Sequence, residues 1–330
     1  PTTTPTQEPT ATPTQEPKAT PTNVPTTLPT NVPTTLPTND PTMSPMKQDT
    51  TLPTSKPTMC PTASPSPIPT ASPTQIRSNT GSDFVIAFMR NFDSALELFL
   101  FLTGEETGTG TVSIPGESFS QDFDVIPGEI TTVQVPSSTA ALLNDGVENK
   151  GISISATSDL TVYGLNQRAF STDAFLGLPT TVLGTHYITL GYPTFAFSAS
   201  DPEGSASGFV IVADSSNTIV THPPSSTAAG HAAGVPYDIT LDALDVYQLL
   251  NSVRGEDLTG SIISSTKPIG VFSGGSCAEV PLGTEACDHI IEMIPSTDTW
   301  GTSFFTVPLA QRSAGDLFRI LASEDDTDVI

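Results

Sequence analysis

The chain has 330 residues, 32 of them proline, with three cysteines, one tryptophan and a formal net charge of −24. A surface this acidic repels phosphate backbones and anionic lipid, which argues against nucleic acid and electrostatic membrane binding as partners. No apolar run approaches the roughly 18 residues of a spanning helix, so no direct membrane insertion is expected of this segment.

Residues 1–78 are a Pro-Thr repeat. Proline recurs at every fourth position from Pro1 to Pro45 and again from Pro53 to Pro73, as in PTNVPTTLPTNVPTTLPTND. Proline fixes φ and biases its predecessor to extended geometry, and almost no large apolar side chain is present to bury. The expectation is a disordered, stiff, polyproline-like stalk, with Thr and Ser beside Pro at the density of O-glycosylated stalks. Asn-x-Ser/Thr acceptors are absent, which places any glycosylation on this tail. Cys60 has no local partner there and is available for an inter-chain disulfide. The acids up to Arg77 are matched by bases, so the negative charge belongs to the rest of the chain. The chain starts without Met and ends in mid-pattern, and so reads as an excised segment whose signal or anchor lies outside it.

From residue 79 onward short runs of period two, punctuated by Gly, Pro, Asn and Asp, predict an all-β region. Candidate strands are Phe84–Phe88, Leu98–Leu102, Thr111–Ile114, Ser120–Val125, Ile130–Val135, Gly151–Ser155 and Leu160–Tyr163, about the number in a small sandwich. The same order then returns. Val162-Tyr163 falls on Val271-Phe272, and Phe209–Val220 falls on Phe318–Val329, at an offset of about 109 positions. Gly81, Gly184 and Gly301 open three similar stretches. Units of this length are too long for a solenoid turn or a propeller blade. The expected architecture is therefore tandem β-sandwich-like repeats over 79–170, 171–286 and a truncated 287–330, with a propeller-like closure as the alternative. Asp-Asp, Asn-Thr and Ser158-Asp159-Leu160 are expected to supply the turns between strands.

Several motifs agree in order with one family. Gly146-Val-Glu-Asn-Lys-Gly151, Leu160–Asn166, Asp173–Pro179 and Leu183–Tyr187 are followed by Ser276-Cys277-Ala-Glu-Val-Pro281, Ala286-Cys287-Asp-His289 and Thr299-Trp300-Gly301. Over about Gly81 to Ile330 the chain resembles the IgGFc-binding protein N-terminal domain family. That resemblance implies a secreted or cell-surface, mucus-associated setting and a binding or adhesion role toward an extracellular protein or glycan. A structural matrix component without a specific ligand is the alternative, and a hydrolase a remoter one.

The chemistry candidates concentrate between Cys277 and Trp300. Cys277 and Cys287 enclose a short loop with Pro281 and Gly283, as a disulfide would in an extracellular setting. The competing reading is a catalytic thiol, because Cys287 and His289 would share one side of a strand. A metal site on the two cysteines and His289 lacks a fourth ligand. The acids Glu324, Asp325, Asp326 and Asp328 lack the order of a calcium loop and read as a hairpin turn. His186, His222 and His231 are expected in core or loop positions. No catalytic, cofactor-binding or metal residues are nominated, and no cofactor is expected.

Overall fold

The computed structural model describes residues 78–92, 96–195, 205–312 and 315–330. The stalk residues, with Cys60, lie outside the described residues. The chain is all-β. Its first eight strands are β1 (Gly81–Ile86), β2 (Glu97–Thr103), β3 (Gly108–Ile114), β4 (Phe119–Val125), β5 (Thr131–Val135), β6 (Gly146–Glu148), β7 (Ile152–Gln167) and β8 (Asp173–Gly177). The second series is β9 (Gly184–Ile188), β10 (Ser207–Ala213), β11 (Thr218–His222), β12 (Tyr237–Leu241), β13 (Val246–Asn251), β14 (Ile262–Ala278) and β15 (Asp288–Met293).

Each series is organised by one long strand. The first half of β7 pairs with β1 on one edge and β3 on the other, and its second half pairs with β2 and β8. One strand therefore belongs to two layers, β1-β7-β3-β4 and β5-β2-β7-β8, which is how a sandwich turns its corner. In the second series β14 does the same, with β9 and β11 along its first half and β10 and β15 along its second. The tandem sandwich-like arrangement is thus the observed one, each sheet curling around its shared strand into a nearly closed barrel.

One break expected from the sequence is not a break. Ser158-Asp159-Leu160 was expected to turn, yet β7 runs through it, because Ala156 pairs with Gly110 and Leu160 with Gly81 on either side. Pro268 lies inside β14. It sits where the partners change, between the last β11 pair at Ser265 and the first β10 pair at Ile269, so its missing N–H interrupts no ladder.

The two sandwiches share a core. In β10 all seven residues are buried, and period-two alternation sends them opposite ways. Phe209, Ile211 and Ala213 fill the interior of the second sandwich with Val220, Leu249 and Val271. Val210 and Val212 instead join a cluster running through the first sandwich, together with Phe272 and Met293. At its centre Phe175 meets Phe88 and Phe272 edge-on, with ring centroids 5.4 and 4.9 Å apart. The close approach needs small residues. A Cβ on Gly208 would lie 2.9 Å from Met89 Cε, and one on Gly164 2.2 Å from the Phe175 ring.

The units are also cross-stitched. β6 leaves the first series and pairs antiparallel with β13 of the second. The described residues of 301–330, which carry the sequence pattern of β9 and β10, form no strand, and Phe304 and Phe305 are exposed. β9 and β10 both form by pairing with β14.

Candidate functional site

The stretch singled out in the sequence lies on the seam between the sandwiches. Residues 288–293 form the strand β15 along β14. β15 runs beside β8 of the first sandwich, and side chains bind backbone across the gap. The Thr172 N–H donates to Asp288 Oδ1 at 2.7 Å, the Ile291 N–H to Asp173 Oδ2 at 2.8 Å, and the Leu176 N–H to Glu292 Oε1 at 3.4 Å.

Cys277 and Cys287 are joined by a disulfide with Cα atoms 5.2 Å apart. An oxidised Cys287 has no thiolate to attack with, which removes the thiol-enzyme arrangement. Asp288 is committed to the backbone amides of Thr172 and His289. His289 is buried, and its Nδ1 lies 3.0 Å from the Gly275 carbonyl. A carbonyl can only accept, so Nδ1 carries the proton and Nε2 accepts from Asn166 Nδ2 at 3.4 Å. Burial pushes the imidazole down to about 4, so it is neutral at physiological pH.

His289 belongs to a fully buried polar cluster. Asn91 Nδ2 donates to Asn166 Oδ1 and to the Ser171 carbonyl, Asn166 Nδ2 donates to the Met89 carbonyl, and Ser171 Oγ donates to Asn91 Oδ1. The His289 N–H donates in turn to Ser171 Oγ. Four side chains from both sandwiches thus fix each other's rotamers at the seam. Sequence reasoning missed Asn91, Asn166 and Ser171, whose partners lie 75 to 123 positions away.

The carboxylates beside this cluster are perturbed by burial. Desolvation pushes Glu292 up to about 7, with the Asp173 charge adding to it, and Asp173 is itself raised by burial. The contribution of Glu292 to stability is therefore present below its ordinary value of 4.5 and is lost as pH rises through about 7.

A second polar cluster ties the first sandwich to the second. Asp145, just before β6, accepts from the Tyr247 hydroxyl at 2.8 Å and lies 2.9 Å from His231 Nε2. Tyr237 and Tyr247 hydroxyls are 2.6 Å apart. His222 is buried against Phe209, Tyr237 and Tyr247, and neither of its ring nitrogens has a hydrogen-bond partner. His186 is exposed at the surface of β9. Among the described residues no group of three or more His, Cys, Asp or Glu side chains could hold a metal ion. Residues 323–326 form a turn, as expected, but without a hairpin, because no strand flanks it.

Residues 173–330 match a family model described as IgGFc binding protein. Over these residues the chain matches the IgGFc-binding protein family. The match spans β8 to the end of the chain, so it takes in β8 and β15 of the seam, the disulfide and the second sandwich, but not Asn91, Asn166 or Ser171. The IgGFc-binding protein of Homo sapiens is 29% identical over 257 residues, covering 74% of this chain and 4% of that protein. The chain therefore spans a small fraction of this relative's length. No solved structure matches. The family's description names binding and no reaction, and no described helix is long and apolar enough to cross a membrane.

Two measurements check this site. Reducing the disulfide, which closes a separation of 10 residues, is expected to cost about 2–3 kcal/mol. A urea midpoint unchanged by reductant would contradict that. His222 is held down to about 4 by burial, so its contribution to stability is present above about 6.5 and is lost as pH falls toward 4. His222→Phe is expected to stay within about 1 kcal/mol of the parent at pH 7 and to decline less than the parent between pH 6.5 and 4. Equal declines would show that His222 does not carry that dependence.

Proposed function

We propose that this chain is a non-catalytic, extracellular binding module that recognises a protein or glycan partner through surfaces held in register by the seam. The observation that carries this reading is how the candidate reactive residues are used. Cys287 is oxidised, Asp288 is taken up by backbone amides and His289 is neutral, buried and hydrogen-bonded at both nitrogens. Cys287, Asp288 and His289 therefore build the joint between the sandwiches, and the family description supports binding as the purpose of what the joint holds.

The acidic balance of the chain favours partners with basic contact surfaces. The test is a screen of the full chain against arrays of extracellular proteins and glycans. Saturable binding to at least one member, weakened by salt, is expected. Clean failure on both arrays would contradict recognition and leave a spacing role in an extracellular matrix.

A further inference from the structure

The outer face of the β5-β2-β7-β8 layer carries an apolar row. Phe101 pairs with Tyr163, and Tyr163 with Leu176. One step along, Phe99 pairs with Leu165. Phe99 and Phe101 lie with ring planes 14° apart and centroids 6.4 Å apart. Tyr163 is 44% exposed, and Phe99, Phe101, Leu165 and Leu176 are half-buried. Around β3 and β4 the exterior residues are instead Thr109, Thr111, Asp122 and Asp124.

The second sandwich shows what this fold does with the same face. The pairings that place Phe101, Tyr163 and Leu176 in one row place Val210, Phe272 and Met293 in the corresponding row of the second sheet. Those three are buried and packed into the core of the first sandwich. Where the face is packed, Gly208 admits Met89. The corresponding place in the first sheet is Phe99, which closes off so near an approach and offers an aromatic surface instead.

The surrounding charge selects among occupants. Glu97 opens β2 and is exposed, and beyond the other end of the row Glu105, Glu106 and Asp159 are exposed beside Thr103 and Thr161. Arg168, at the end of the row, is turned over the Phe92 ring, 4.9 Å from its centroid. A second copy of a chain with a net charge of −24 would bring like charge to this rim, as would an anionic membrane. We propose that the face formed by Phe99, Phe101, Tyr163, Leu165 and Leu176 is a docking surface for a protein whose contact patch has an apolar centre and a lysine- and arginine-bearing rim. Aromatic anchors inside a polar rim are the usual composition of a binding hot spot. The inference rests on the reading of the chain as a binding module and names the surface and the partner class.

The experiment is selection of a displayed random-peptide library on the full chain, followed by titration of the enriched synthetic peptides. Enriched sequences are expected to combine aromatic or aliphatic residues with Lys or Arg. Their affinity should fall at least tenfold for Tyr163→Ser and for Leu176→Ser, and fall with added salt. Thermal melts that match the parent confirm that each variant is folded, and having two variants guards against the loss of either one. Peptides that bind both variants as tightly as the parent would overturn this face while leaving a binding module. No enrichment would overturn the inference, and failure on the arrays as well would remove the binding reading with it. A concentration-dependent dimer in light scattering that Tyr163→Ser abolishes would overturn the partner class in favour of a second copy.

Discussion

Phe272→Ala is expected to lower the stability of the folded part by about 3–5 kcal/mol, the cost of deleting a large aromatic from a close-packed interior. Phe272 belongs by sequence to the second sandwich, yet its ring meets Phe175 of the first at 4.9 Å and is completely buried. The surrounding backbone belongs to two paired ladders and has little freedom to collapse onto the space left behind. For a folded part of this size the loss corresponds to a fall in melting temperature of roughly 10 °C. Since the ring serves both sandwiches, the variant is expected to shift the whole transition without splitting it. Calorimetry of parent and variant reads both quantities. A variant in which only part of the unfolding enthalpy moves would show that the sandwiches are held by separate cores.

Asn166→Ala is expected to cost about 3 kcal/mol by a different route. The amide donates to the Met89 carbonyl and accepts from Asn91 Nδ2, and its Nδ2 also faces His289 Nε2. Truncation removes a partner from each of these buried groups, while Asn91 Nδ2 keeps the Ser171 carbonyl, and each lost bond carries a desolvation penalty of about 1–3 kcal/mol that partial relaxation reduces. Urea unfolding measures the loss. The comparison that isolates the mechanism is Gln167→Ala, one residue along the same strand and exposed, which should stay within about 0.5 kcal/mol of the parent. Equal effects at the two positions would mean that the buried cluster contributes no more than an ordinary surface residue.

The parts of this fold that are local in sequence were the legible parts. Leu98–Leu102 reads as a strand at once, but Leu and Phe alternate, so both faces are apolar and periodicity alone cannot say which faces out. Only the pairing shows that Phe99 and Phe101 are the outer set. β10 has the same ambiguity for the opposite reason, since both of its faces are buried. The continuity of β7 and β14 was hidden because polar residues and a proline usually mark turns. Here they mark the place where one strand passes between layers. β6 was out of reach, because a three-residue strand that pairs with β13 almost 100 positions later leaves no periodic signal. At the seam the cysteine pair was readable from its spacing and expected compartment. The amides that lock His289 in place were not, because a buried Asn in a strand looks like any other polar interruption until its partners are known.

The two sandwiches and the seam between them are expected to unfold as one cooperative body, on which any binding surface is displayed without internal hinge motion. Differential scanning calorimetry of the intact, oxidised chain tests it most directly. The shared aromatic core, the β6 exchange and the buried amide cluster predict a single transition whose calorimetric and van't Hoff enthalpies agree. Two resolved transitions, or a van't Hoff enthalpy near half the calorimetric value, would contradict it.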